Sequence, residues 1–115
     1  MPPTFADRVQ HILEAIEDCE NILQKTDREA FAKDRLIRLA VERALEIISE
    51  ASRHIPKEFK EREATIAWRR MADLGNRLRH VYHRVDPDVL WEIVKQDLPA
   101  LRLLLNRIIR DEQAK

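Results

Sequence analysis

The chain has one glycine, Gly75, and one cysteine, Cys19, among its 115 residues. A single glycine cannot build the glycine-rich loop that cradles nucleotide phosphates. A single cysteine permits neither an intrachain disulfide nor a cysteine cluster for zinc. Cys19 sits among apolar positions at helical spacing and reads as a small core residue. Aromatics are also scarce, with three Phe, two Trp and one Tyr. No apolar run approaches the ~20 residues that a membrane-spanning helix needs. MPPTFADRVQ has no cationic start followed by an apolar stretch, so no signal peptide is expected and the expected location is cytoplasmic. The formal net charge is zero. That excludes a generically basic coat for nucleic acid, although a balanced total can hide local segregation.

What the chain does contain is helix signal. A length of 115 residues suits one domain, 1–115, with one hydrophobic core. Phe5, Val9, Ile12, Leu13, Ile16, Cys19, Ile22 and Leu23 recur every three to four residues. Thr4 is the expected cap of that helix, with Asp7 three residues on. Thr26 or Asp27 then ends it and caps the next. A second helix is expected from about Arg28 to His54, with Phe31, Leu36, Leu39, Ala40, Ala44, Ile47, Ile48 and Ala51 inward. Pro56 stops it, and KEFKEREAT reads as a polar loop with a helical turn. A third helix, roughly Thr65 to Tyr82, buries Trp68, Met71, Leu74, Leu78 and Val81. Asp86-Pro87 is a strong start signal for a fourth. Pro99 interrupts that last segment, and Asp97 is a candidate cap for a fifth helix there. The expected fold is all-α, an up-down bundle of four to five helices.

Charge is segregated. Between Arg69 and Arg84 stand five arginines (Arg69, Arg70, Arg77, Arg79 and Arg84) and two histidines, His80 and His83, against one acid, Asp73. Neither a Ser-His-Asp order nor His-Glu-x-x-His is present. His80 and His83 lie among arginines that would repel a divalent cation, so neither a metal nor another cofactor is expected. On a helix, Asp73, Asn76 or Arg77, His80 and Arg84 share one face, while Arg79 and His83 project from a neighbouring one. Imidazole titrates near neutrality and can move a ribose proton. A guanidinium can hold a phosphate and stabilise charge developing on it. These are the groups that phosphodiester cleavage without metal requires. The blander reading is a solvated helix end whose arginines favour the macrodipole.

The segment NRLRHVYHRVDPDVLWEIVKQDLPAL, with AWRRMADLGN before it and, more loosely, ERALEIISEASRHIP, resembles the HepT-like branch of the HEPN superfamily. The resemblance covers most of the chain. It implies an all-α homodimer with the motif helices of two subunits beside a shared cleft. It also implies a metal-independent ribonuclease that serves as a toxin, acting on tRNA or mRNA. The implied partner is a small nucleotidyltransferase antitoxin. Asn76 matches the family's polar residue, His80 its catalytic histidine, and Tyr82 the tyrosine that can accept AMP from the antitoxin. The family's arginine position, immediately before the asparagine, is occupied here by Gly75. The expected order is His80 as base and Arg77 or Arg79 as phosphate binder, with Asn76 in support. His83 is the alternative base, at family-like spacing from Arg77. Arg69, Arg70 and Arg84 are expected to bind RNA phosphates. Gly75 also keeps open a degenerate domain that binds RNA, a nucleotide or the nucleotidyltransferase without turnover.

Overall fold

The computed structural model describes residues 3–62, 66, 68–80 and 85–113, and the backbone alone of residues 79, 80, 112 and 113. Among the described residues every regular element is helical: α1 (Phe5–Gln24), α2 (Arg28–Lys33), α3 (Arg35–Ser52), α4 (Lys57–Arg62), α5 (Trp68–His80), α6 (Pro87–Glu92), a π-turn (Ile93–Asp97) and α7 (Leu98–Gln113). α1, α3, α5 and the run from α6 through α7 are the four long bodies of the all-α fold. The short helices α2 and α4 are added to them. None of the described helices is long and apolar enough to cross a membrane.

Local signals set the helix starts. The Thr4 hydroxyl accepts from the Asp7 amide at 3.1 Å and the Asp7 carboxylate accepts from the Thr4 amide at 2.9 Å, a reciprocal capping box. Those bonds hold the Asp7 carboxyl below its ordinary pKa. Asp27 caps α2 by accepting from Ala30 N–H at 2.8 Å. Asp86 caps α6, with Pro87 just inside, where a missing donor costs nothing.

The expected helix from Arg28 to His54 is two helices. Asp34 is extended, with φ −96° and ψ 102°, and its carboxylate accepts from Ile37 N–H at 3.1 Å to start α3 afresh. Tertiary contacts hold α2 apart. Phe31 is fully buried, its ring centroid 5.6 Å from that of Trp91. Arg28 reaches α6, with Nε 3.0 Å from Asp88 and Nη2 3.2 Å from Glu92. On α3, Ala44, Ile48 and Ala51 are buried as expected. Leu36, Leu39 and Ala40, expected in the core, are exposed, while Arg38 is buried with its Nη1 donating to the Ala32 carbonyl.

Pro99 does not restart the helix, and Asp97 does not cap one. Proline lacks an N–H and its ring crowds the carbonyl four residues back. The chain absorbs both effects with one wide turn, in which Leu98 N–H donates to the Ile93 carbonyl five residues earlier. Helical path continues from Pro87 to Gln113.

One contiguous core joins Ile12, Ile16 and Leu23 of α1, Val41, Leu45 and Ile48 of α3, Met71 and Leu74 of α5, and Leu98, Leu101 and Leu105 of α7. Each such side chain contributes about 1.5–3 kcal/mol of burial. Cys19 is in this core, and burial pushes its thiol pKa up to about 12, which makes it a packing residue rather than a nucleophile. Trp68 and Trp91 are only half-buried. Phe31→Ala should cost ~3–5 kcal/mol in urea unfolding. Leu36→Asn should stay within ~0.5 kcal/mol of the parent; a large loss at Leu36 would contradict the split between α2 and α3.

Candidate functional site

The cationic segment lies on α5, which packs chiefly against α3. Met71 and Leu74 are buried and set its inward side. Successive residues turn by about 100° around a helix. Asn76, Arg69, position 80, Asp73, Arg77 and Arg70 therefore follow one another around an arc of roughly 120°. Asn76, Arg69, Asp73, Arg77 and Arg70 are all exposed. Position 80 stands about 60° from Arg77 and one turn further along. Position 79 stands about 160° from Arg77 and about 100° from position 80 in this register. Tyr82, His83 and Arg84 lie outside the described residues, as does the pairing of Arg77 with His83.

Two residues from other elements border the arc. Arg53, the C-cap of α3, donates from Nη2 to Asn76 Oδ1 at 2.6 Å. That bond fixes which end of the Asn76 amide faces α3. At the other border, Arg70 Nη1 is 3.6 Å from Asp97 Oδ2 of the π-turn. Burial raises the Asp97 carboxyl above its ordinary pKa, the nearby Arg70 charge opposes that, and Glu92 adds to it. Among the described residues no three His, Cys, Asp or Glu side chains converge as a metal site. His11 is exposed, and His54 lies 3.6 Å from Glu50, one turn back on its own chain segment.

A ribonuclease HepT-like family model matches residues 12–108. The chain belongs to the ribonuclease HepT-like family. A protein of Thermococcus cleftensis, provisionally named ribonuclease HepT, is 43% identical over 102 residues, which cover 89% of this chain and 93% of the relative. A provisionally named RNase of Methanocaldococcus jannaschii is 42% identical over 91 residues, 79% of this chain and 84% of its own. Another, from Caldanaerobacter subterraneus, is 32% identical over 108 residues, covering 91% and 94%. No solved structure matches at a significant level.

Within this HepT-like chain, Gly75 acquires a packing meaning. It is buried, on a regular stretch of α5 with negative φ, and about 140° around the helix from position 80. Ser49, one turn before Arg53 on the α3 stripe, is also small and buried. An arginine at 75 would place a charged side chain at a position that is buried in this chain.

Arg53 and Asp97 escape a motif search because their partners are 23 and 27 residues away. Basic residues at the end of α3 and an acid beside Pro99 are the only local hints. Gly75→Arg should lower stability by about 2 kcal/mol or more, through overpacking and an unpaired buried charge. A urea midpoint equal to that of the parent would show that position 75 is not packed as described.

Proposed function

We propose that this HepT-like chain is a metal-independent RNA endonuclease, working as a homodimer, with His80 as base and Arg77 as phosphate binder. The supporting observation is the arc of α5 on which Arg70 and Arg77 are exposed and into which position 80 falls by helical register, in a member of a ribonuclease-named family. His80 takes the proton of a ribose 2′-hydroxyl as that oxygen bonds to the adjacent phosphorus. The bond from phosphorus to the 5′-oxygen breaks, and that oxygen is protonated as it leaves. The products are a 2′,3′-cyclic phosphate and a 5′-hydroxyl. Arg77 stabilises the charge on the non-bridging oxygens, while Asn76 orients the phosphate and Arg69, Arg70 and Arg84 bind flanking ones. Arg79 has no assigned step.

Purified protein should cleave single-stranded RNA in the presence of chelator and leave cyclic phosphate ends. His80→Ala and Arg77→Ala should each slow cleavage by about 10²–10⁴-fold, whereas Arg79→Ala should change it by less than about threefold. Full activity in His80→Ala removes the assigned base.

The family resemblance extends the reading to a toxin of a type II toxin–antitoxin pair, silenced by a nucleotidyltransferase. In that step the Tyr82 oxygen bonds to the α-phosphorus of ATP, pyrophosphate leaves and the phenolic proton is lost. Incubation with the partner and ATP should add one or more AMP units in the intact mass, mapped to Tyr82; an adduct elsewhere, or none, discards this regulation. Gly75 at the family's arginine position supports a second reading, a domain that binds RNA or the nucleotidyltransferase without turnover. Salt-sensitive RNA binding with no cleavage would favour it.

A further inference from the structure

The π-turn leaves one carboxylate in an unusual setting. The Asp97 side chain is 16% exposed. Its Oδ2 is shielded from water and accepts no hydrogen bond. A carboxylate oxygen in that state carries the cost of leaving water unless a nearby charge offsets it. The charges that act on it are Arg70, which offsets the cost, and Glu92 of α6, which adds to it.

The contact with Arg70 has a specific character. At 3.6 Å it lies within ion-pair range but beyond hydrogen-bond length. Arg70 is held by charge, without a hydrogen bond to Asp97, and its side chain is about half exposed. Seven residues separate Arg70 from Arg77, so the two lie within about 20° of each other around α5 and roughly 10 Å apart along it. Arg70 is thus both a member of the exposed arc and the counter-charge of a shielded acid. An RNA phosphate arriving on that arc can accept two parallel hydrogen bonds from one guanidinium. Asp97 accepts none at its shielded oxygen.

We propose that Asp97 is a built-in stand-in for an RNA phosphate, which holds Arg70 at the border of the arc and yields it to the incoming strand, thereby setting RNA affinity. The inference rests on the reading that RNA is the ligand of the arc. Exchange of partners leaves the Asp97 carboxylate shielded and without its counter-charge. That loss is subtracted from every RNA-binding event, so Asp97 weakens binding. A simple positioning role predicts the reverse, because an arginine deprived of its guide binds less well.

The two roles differ in sign, and a double-mutant cycle separates them. The probe is a labelled single-stranded 2′-O-methyl RNA, which lacks the attacking hydroxyl, titrated against the full chain by fluorescence anisotropy. Asp97→Asn is isosteric and removes only the charge. It should tighten binding by roughly three- to tenfold. Arg70→Ala should weaken binding and reduce the salt slope by about one phosphate contact. Adding Asp97→Asn to Arg70→Ala should then change affinity by less than about twofold. Weaker binding by Asp97→Asn alone overturns the proposal. Equal tightening with and without Arg70 overturns it as well, since the acid would then act through its general field. Failure of the parent chain to bind RNA removes the RNA reading itself, and the proposal falls with it.

Discussion

The rotation of α5 about its own axis is the constraint on which the site depends. Met71 and Leu74 are out of water on the helix that packs chiefly on α3, and Gly75 is buried beside them. Once those three positions face inward, helix geometry leaves no choice about the remainder. Arg69, Asp73, Asn76 and Arg77 come out on one side, and position 79 does not join them. A slip of one residue in that packing would turn the whole cationic row by about 100° toward the core. The apolar contacts of the helix therefore decide its chemistry as firmly as its charged residues do.

Much of this architecture is readable from local sequence, because the signals that set it are themselves local. Thr4 with Asp7, and Asp86 with Pro87, act within one turn of chain and perform as their residue types demand. The break at Asp34 is different. An aspartate inside AFAKDRLI is compatible with a continuous helix. It becomes a cap because Phe31 and Arg28 secure the preceding turn to α6, a contact some sixty residues distant. The exposure of Leu36 and Leu39 follows from that break and was not legible without it. Pro99 could be seen as a disturbance, but the remedy, one wide turn rather than a new cap, depends on how the flanking helices are already held by Ile93, Val94 and Leu98 in the core. At the site, residue types and their shared arc were legible by arithmetic. The bonds from Arg53 to Asn76 and from Arg70 to Asp97 were not, since neither partner announces the other in the chain.

The glycine at the family's arginine position illustrates how a motif and a structure can disagree usefully. As a string, GNRLRH lacks a charge that the family pattern expects. As a helix, it places that position in the packing side and offers Arg77 a short step away on the exposed side.

The contacts of α2 with α6 have a further consequence. Arg28 and Phe31 meet Asp88, Trp91 and Glu92 across spans of 60 to 64 residues. Everything between them, including α3, α5 and the motif segment, is a loop closed at its base. Closing a loop of that length is a cost that grows only slowly with length. The clasp acts as a fixed origin from which the span to α6 is measured. An exposed ion-pair cluster between α2 and α6 thus closes the span of chain that carries α3 and α5.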